Sequence, residues 1–298
     1  FHEQYQDGYS LYSSQREVEP QAYSDRSAYQ GAFRVDAGFG ALVNCLAAEL
    51  EPQRCLTGQA VKSIYDRDSH VEIHGLDQVW QARQIALCLP PRLIAEQLKL
   101  VPELDERLLA MMQATPTWMA GHAKVIVEYQ QPFWRAQGLS GNALAGYPGA
   151  VLAEIFDLCS SSGEYAALGG FSGWPAEYRQ QYRDDIPDLV LDQLVHLFGP
   201  LAANPLSIQV QDWATETATA SALDQALLRE HPDYGHAWFQ LDHWNDKLYF
   251  GGTETAKQSG GYLEGALVAA ERIAKALATS QLFAPGSTDI LASPSNSY

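Results

Sequence analysis

The chain has 298 residues, of which 46% are hydrophobic, and its formal net charge is −17. This composition is typical of a globular protein that buries a sizeable core in one large domain or two, and it excludes an intrinsically disordered chain. The negative charge argues against nucleic-acid binding, because no basic surface is available to neutralise phosphates.

Four cysteines are scattered along the chain without CxxC spacing, at Cys45, Cys55, Cys88 and Cys159. The pattern predicts buried free thiols in a reducing compartment, and neither a disulfide framework nor a zinc site. No apolar run reaches the roughly 18–20 residues of a membrane span. We therefore expect a soluble, cytoplasmic protein with no membrane partner and no metal ion.

Hydrophobic periodicity gives a mixed α/β pattern along most of the chain. Residues 1–33 are rich in Tyr, Gln and Ser and show little periodicity. In chain order the pattern then predicts a helix at 39–50, strands near 61–65, 70–74 and 79–88, helices near 92–97 and 103–113, strands at 123–130 and 165–171, helices near 175–183 and 187–198, and a strand at 206–212. In the first of these helices the inward side chains are Leu42, Val43, Leu46 and Leu50.

The last ordered stretch reads as a strand, a glycine-broken loop and a long amphipathic helix. The strand is 248–250, Gly260 and Gly261 precede the helix, and the helix covers 262–278. Its apolar face carries Leu263, Ala266, Leu267, Ala270, Ile273, Ala274 and Leu277. A helix start kept bare by glycines offers free backbone amides and a positive dipole end to an anionic ligand edge. The tail at 283–298 is rich in Ser, Pro and Asn, which predicts disorder.

Several motifs in this order resemble the flavin-containing amine oxidase family, which includes monoamine, polyamine and L-amino-acid oxidases. The segments YFGGTETA (249–256) and GYLEGAL (261–267) are similar to its C-terminal signature, and KVIVEYQQPFWR (124–135) is similar to a strand and motif of its substrate domain. IALCLPPRLI (85–94) resembles its β-meander and the turn that follows. The resemblance runs from about Arg34 to Leu277.

The resemblance implies an α/β fold with two interleaved domains: a flavin domain with a β-meander and a terminal strand–helix unit, and a mixed-sheet substrate domain flanked by helices. Residues 36–92 and 246–280 would belong to the FAD-binding domain and 93–245 to the substrate domain. Residues 1–35 would be the tail of an earlier substrate-domain segment, and 281–298 a disordered tail.

One part of the family pattern is absent from this sequence. No GxGxxG motif, which cradles the FAD pyrophosphate on a helix N-terminus, follows a strand here. We expect a partial chain, with the GxGxxG domain supplied by an N-terminal segment or a second chain; a homodimer and a natural remnant with another role are the alternatives.

The resemblance assigns two residues to the reaction itself. Lys124 is similar to the family lysine that holds a water near flavin N5, and Tyr262 to a tyrosine of the aromatic cage over the flavin. The partner aromatic of that cage lies, in relatives, about ten residues after a tryptophan that matches Trp213. Here 218–223 holds no aromatic residue.

Other residues are expected at the cofactor and in the substrate cavity. The FAD contacts would come from Cys55, Gly252, Thr253, Glu254, Tyr262 and Leu263. Phe171 and Glu154 align with cavity-lining positions; an acidic Glu154 would suit a second ammonium group, and the other interpretation is a surface glutamate. No cysteine follows Cys159, so FAD should be noncovalent. Trp134 and Arg135 should be structural.

These expectations describe an FAD-dependent oxidase that converts a primary or secondary amine, including a di- or polyamine, to an imine with O₂ as acceptor. An L-amino-acid oxidase of the same fold is an alternative, for which Arg135 is the matched candidate to bind the carboxylate. A flavin-free remnant that acts as a binding or scaffold module is the third.

Overall fold

The computed structural model of the chain describes residues 2–4, 9–12, 35, 38–160, 164–226, 228 and 230–282. The strands are β1 (His2–Gln4), β2 (Tyr9–Tyr12), β3 (Ser63–Arg67), β4 (His70–His74), β5 (Val79–Ala82), β6 (Ile85–Leu87), β7 (Lys99–Val101), β8 (Ala123–Tyr129), β9 (Asn142–Ala145), β10 (Leu152–Asp157), β11 (Ala166–Ser172), β12 (Ser207–Asp212) and β13 (Leu248–Phe250). The α-helices are α1 (Gly38–Ala48), α2 (Pro91–Gln97), α3 (Glu106–Ala114), α4 (Phe133–Ala136), α5 (Ala176–Gln181), α6 (Ile186–Phe198) and α7 (Leu263–Leu282).

The chain divides into two compact units, which interleave along the sequence. Unit 1 comprises Phe1–Glu49 and Gly121–Ala214, and unit 2 comprises Leu50–Ala120 and Thr215–Tyr298. The mixed α/β fold is confirmed. The functional domain boundaries that the resemblance implies stay a prediction.

Unit 1 is built on a seven-stranded sheet in the order β1-β2-β9-β10-β11-β8-β12. β2 pairs parallel with β9, and the other pairs are antiparallel. One face of the sheet is buried because apolar side chains alternate along β8 and pack with α6 in a single core. That core includes Val125, Val127, Tyr129, Ile155, Leu168, Val190, Leu194 and Phe198. The opposite face is the one that carries the candidate site.

Unit 2 contains the predicted meander, with strand order β5-β4-β3-β7, and a parallel pair of β13 with β6. Its core joins the meander to α2, α3 and β13. The members include Ile64, Val71, Ile94, Leu100, Leu108, Met112, Leu248 and Phe250. β13 leads directly into the glycine-broken loop and α7, so its pairing with β6 fixes the start of that loop.

Two predicted apolar faces differ from the observed burial. In α1 no residue is buried, and Leu42, Val43 and Leu46 are all exposed, as is Leu50 after it. The prediction that these side chains face inward is wrong, because none of the described residues covers them.

In α7 the buried positions are Gly265, Ala269 and Ile273, whereas Leu263, Leu267, Ala270 and Ala274 are exposed. The buried stripe is therefore rotated from the predicted face toward the loop before the helix.

Smaller differences have local causes. The predicted strand 79–88 is two strands, β5 and β6, which pair in different sheets. The short strands β7 and β9 carry too little periodicity to predict. Cys45, Cys55 and Cys88 are exposed free cysteines, so only Cys159 matches the predicted burial. The predicted disorder at 283–298 lies outside the described residues.

Candidate functional site

Three of the predicted site residues in unit 1 stand in one row across the sheet. Glu154 on β10 lies opposite Phe171 on β11, and Phe171 lies opposite Lys124 on β8. Directly paired residues of antiparallel strands point to the same face. The register therefore brings Glu154, Phe171 and Lys124 together on the face that is turned away from the core.

The lysine at the end of this row is held by aromatic rings. Lys124 Nζ lies 5.6 Å from the Phe156 ring centroid and 5.8 Å from that of Phe171, within the range of cation–π attraction. The two rings contact each other, with centroids 5.6 Å apart. Phe156 was not predicted, although it follows Glu154 by two residues and so shares its face.

A glycine makes room for this arrangement. Gly169 pairs with Phe156 across the sheet, and a Cβ at Gly169 would lie 3.1 Å from the Phe156 ring and would also collide with Leu158. A side chain at this position would collide first with Leu158 and would also press on the Phe156 ring. The composition GGFSG at 169–173 thus serves packing within the sheet.

A histidine lies at the same end of the face. The rings of His122 and Phe171 meet edge to face, with centroids 6.3 Å apart. Both ring nitrogens of His122 are buried and have no hydrogen-bond partner among the described residues. Burial, and then the positive charge of Arg179, lower the pKa of His122, so the imidazole is uncharged at neutral pH.

The PFWR motif at 132–135 lies next to the site and is hydrogen-bonded to the carboxylate of Asp157. Trp134 Nε1 donates to Asp157 Oδ2 at 2.9 Å, and Arg135 donates to both oxygens of the same carboxylate at 2.8 and 3.0 Å. Burial alone would raise the pKa of Asp157, but the hydrogen bonds from Arg135, Trp134 and Cys159 hold it below the usual value. Through these contacts Trp134 and Arg135 tie α4 to the end of β10.

In unit 2 the loop after β13 brings the other predicted residues together. Thr253 Oγ1 donates to the Tyr262 carbonyl at 2.7 Å, which ties the loop to the start of α7. Gly252 passes close to the backbone, since a Cβ there would lie 2.8 Å from the Leu89 carbonyl oxygen. Glu254 is buried beneath the loop, and burial raises the pKa of its carboxyl.

The first turn of α7 keeps unpaired donors. Tyr262 N donates to Ser259 O, but the amides of residues 263–265 have no backbone acceptor among the described residues. Leu263 is exposed at this end. Three free amides and the positive dipole end fit the anionic edge of a reduced flavin ring, so the donor set agrees with the expected cofactor. Cys55, in contrast, is an exposed residue that follows a short 3₁₀ turn.

Tyr262 is 56% exposed, and its ring lies parallel to that of His231, with centroids 5.0 Å apart and an angle of 2° between the planes. His231 was not predicted, because nothing in the sequence links two residues 31 positions apart. Tyr262 belongs to unit 2 and Lys124 to unit 1.

Residues 218–223, which include no aromatic side chain, are followed by a buried carboxylate, that of Asp224, which holds this segment in place. Asp224 accepts from Ser221 Oγ at 2.7 Å, from Thr117 N at 3.0 Å and from Arg92 at 2.6 Å. These bonds fix the turn at 221–224 and explain why this segment is ordered without a large side chain of its own.

The described residues lack two kinds of feature. No helix among them is long and apolar enough to cross a membrane. They also contain no group of three or more His, Cys, Asp or Glu side chains with metal-binding geometry.

Comparison with known proteins shows that the chain matches one protein family over most of its length. Residues 7–278 match the family model described as flavin containing amine oxidoreductase. The chain is 26% identical over 205 residues to human amine oxidase [flavin-containing] B, covering 66% of this chain and 38% of the relative. It is 26% identical over 264 residues to an L-amino acid dehydrogenase of Synechocystis, covering 86% of this chain and 54% of the relative.

Solved structures show the same fold. Cyclohexylamine oxidase from Brevibacterium oxydans superposes with a TM-score of 0.67 at 24% identity, covering 82% of this chain and 53% of that one. Putrescine oxidase bound to putrescine superposes with a TM-score of 0.65 at 21% identity, covering 82% and 54%. The chain thus spans about half the length of the proteins it resembles, or less.

Proposed function

Because this chain belongs to the flavin-containing amine oxidoreductase family, we propose that it carries the substrate face and the cofactor-facing loop of an FAD-dependent amine oxidase. The reaction takes two electrons and two protons from a primary or secondary amine, yielding an imine, and reduces O₂ to hydrogen peroxide. Bound FAD would supply the electron transfer between them. The observation that carries the proposal is the row of Glu154, Phe171 and Lys124 on one sheet face.

Lys124 would hold a water molecule at the reacting face. Its ammonium group rests against Phe156 and Phe171, so the charge is oriented while its N–H donors stay available. The free amides at 263–265 would face the flavin ring. With no cysteine after Cys159, FAD would be noncovalent.

Glu154 supports a diamine or polyamine as the substrate. It is exposed on the site face and stands two strands from Lys124, a spacing of about 10 Å. A carboxylate at that distance would bind a second ammonium group while the first amine, in its neutral form, reacts. An uncharged His122 adds no positive charge that would repel such a substrate.

The similarity to an L-amino acid dehydrogenase keeps an amino-acid substrate as the second candidate. That reaction needs a cation for the carboxylate. Both carboxylate oxygens of Asp157 already accept from Arg135, and Arg179 is buried in a two-bond pair with Asp212. Because Arg135 and Arg179 are already paired with carboxylates of the protein, we favour an amine over an amino acid as the substrate.

The GxGxxG segment would come from a part of the protein outside this sequence or from a second chain. We also propose a cytoplasmic location, because the four cysteines form no disulfide.

A substrate panel tests the proposal. The full-length protein is purified, checked for bound FAD, and assayed for peroxide with putrescine, spermidine, benzylamine and a set of L-amino acids. We expect peroxide with the amines, highest with putrescine or spermidine. Peroxide with amino acids alone would favour the second candidate, and a colourless, inactive protein would favour a binding module.

A further inference from the structure

The ring of Tyr262 is oriented by a contact that the sequence did not suggest. The backbone of Tyr262 is fixed, since its amide donates to Ser259 O at 3.2 Å and its carbonyl accepts from Thr253 Oγ1 and from Ala266 N. The side chain, however, is half exposed. Its orientation comes from the parallel ring of His231, 5.0 Å away.

His231 is itself held on two other sides. The Trp118 ring lies 5.0 Å from it, tilted by 52°, and the Tyr234 ring meets it edge-on at 5.4 Å. Tyr234 is anchored in turn, because its hydroxyl donates to the Pro116 carbonyl at 2.8 Å. The Tyr262 ring therefore packs against a His231 ring that Trp118 and Tyr234 already hold in place.

Gly260 and Gly261, which precede α7, leave room for these rings. A Cβ at Gly261 would lie 2.8 Å from the Tyr234 ring and 2.9 Å from His231 Nε2. A Cβ at Gly260 would lie 2.5 Å from Tyr234 Cβ. Both positions therefore require glycine for ring packing, in addition to any role in keeping the helix start bare.

The geometry of the pair excludes a ligand between the rings. Parallel rings with centroids 5.0 Å apart are offset-stacked and in contact, whereas a ligand between two rings needs about 7 Å. His231 therefore supports Tyr262 from one side and leaves the other face of Tyr262 for the substrate.

We propose that His231 is a positioning residue that holds the Tyr262 ring for the amine substrate, in place of the aromatic partner that residues 218–223 lack. This inference rests on the proposed function. It makes His231 a determinant of amine binding, acting through Tyr262 and without direct contact with the reacting atoms.

A double-mutant cycle in the full-length, FAD-containing protein tests the proposal. For benzylamine, His231→Ala should raise KM about fivefold, the loss expected for one aromatic pair, with kcat nearly unchanged. His231→Phe should restore KM. In a Tyr262→Leu background His231→Ala should have no further effect on KM, because the residue through which it acts is gone.

The stacking of His231 on Tyr262 can also be measured without an activity assay. In protein labelled in the histidine rings, one set of His ring protons should be shifted by the Tyr262 ring current and should move in Tyr262→Leu. Unchanged KM in His231→Ala, additive effects in the double mutant, or no rescue by phenylalanine would overturn the inference in an active enzyme. A wild-type protein that oxidises no amine would overturn the proposed function instead, whatever the ring-proton shifts show.

Discussion

At the scale of single residues, Lys124 is the side chain whose role is most open to measurement. Its ammonium group is held over Phe156 and Phe171 on the site face. Lys124→Met keeps most of the side-chain length and removes the charge and the hydrogen-bond donors. We expect flavin reduction or reoxidation to slow by about 100-fold, the scale of a lost proton-handling group.

Stopped-flow measurement of both half-reactions checks this prediction. Lys99→Met, on an exposed position of β7, is the matched control and should behave as wild type. Wild-type rates in Lys124→Met would remove Lys124 from the site.

The role of Glu154 in substrate binding can be tested separately from that of Lys124. Glu154→Gln retains the shape of the side chain and removes its charge. KM for putrescine should rise by about tenfold or more, because a hydrogen bond to a charged group is lost, whereas KM for benzylamine should hardly change. The measurement is steady-state peroxide formation with both amines.

Glu128→Gln is the control for Glu154, since Glu128 lies on the same face at the far end of β8 and bonds to Ser207. Equal losses for putrescine and benzylamine in Glu154→Gln would contradict a specific role in binding a second ammonium group.

At the scale of elements, the turn at 221–224 depends on Asp224. Burial by itself would raise the pKa of Asp224, but hydrogen bonds from Ser221, Thr117 and Arg92 outweigh it, and the folded pKa lies below the ordinary value. A carboxyl with a lowered folded pKa contributes stability above its unfolded pKa, about 3.9, and loses it as the pH falls through the folded pKa.

Asp224→Asn should therefore lower the free energy of unfolding by about 2 kcal/mol at pH 7, with a smaller deficit in strong acid. Urea unfolding at neutral and acidic pH measures the difference. Asp77→Asn, in the exposed turn between β4 and β5, should show no deficit at either pH. A deficit that stays constant on acidification would mean that the ionised carboxylate is not the stabilising form.

Particular elements show what the sequence could and could not predict. Alternation along β8 and the motif at 124–135 were enough to place Lys124 on the outer face. The row with Glu154 was harder to foresee, because it depends on the register of three strands, which the sequence does not encode locally. His231 was missed because ring stacking between distant residues leaves no periodic signal.

At the scale of the whole molecule, exposed apolar faces are the main anomaly. Phe39, Val43 and Leu46 on α1 are more than half exposed, and so are Leu263 and Leu267 on α7. Such faces are costly in water and are normally covered. The burial patterns of α1 and α7 were mispredicted for this reason: the sequence shows which faces are apolar, but not whether a partner for them lies within the chain.

The 298-residue chain produced by itself should therefore self-associate or bind a hydrophobic dye strongly. Analytical ultracentrifugation and dye fluorescence check this, with the full-length protein as the control. A monomeric chain that binds no dye and unfolds cooperatively would contradict the expectation.

Anaerobic flavin reduction tests most directly whether this chain supplies the amine-binding face of a flavin enzyme. The full-length protein, purified with FAD, is mixed with putrescine in the absence of O₂ while the visible flavin absorbance is followed. We predict that the flavin absorbance bleaches on mixing and returns when O₂ is admitted. A protein that holds FAD, yet is bleached by neither putrescine, spermidine nor benzylamine, would contradict the account.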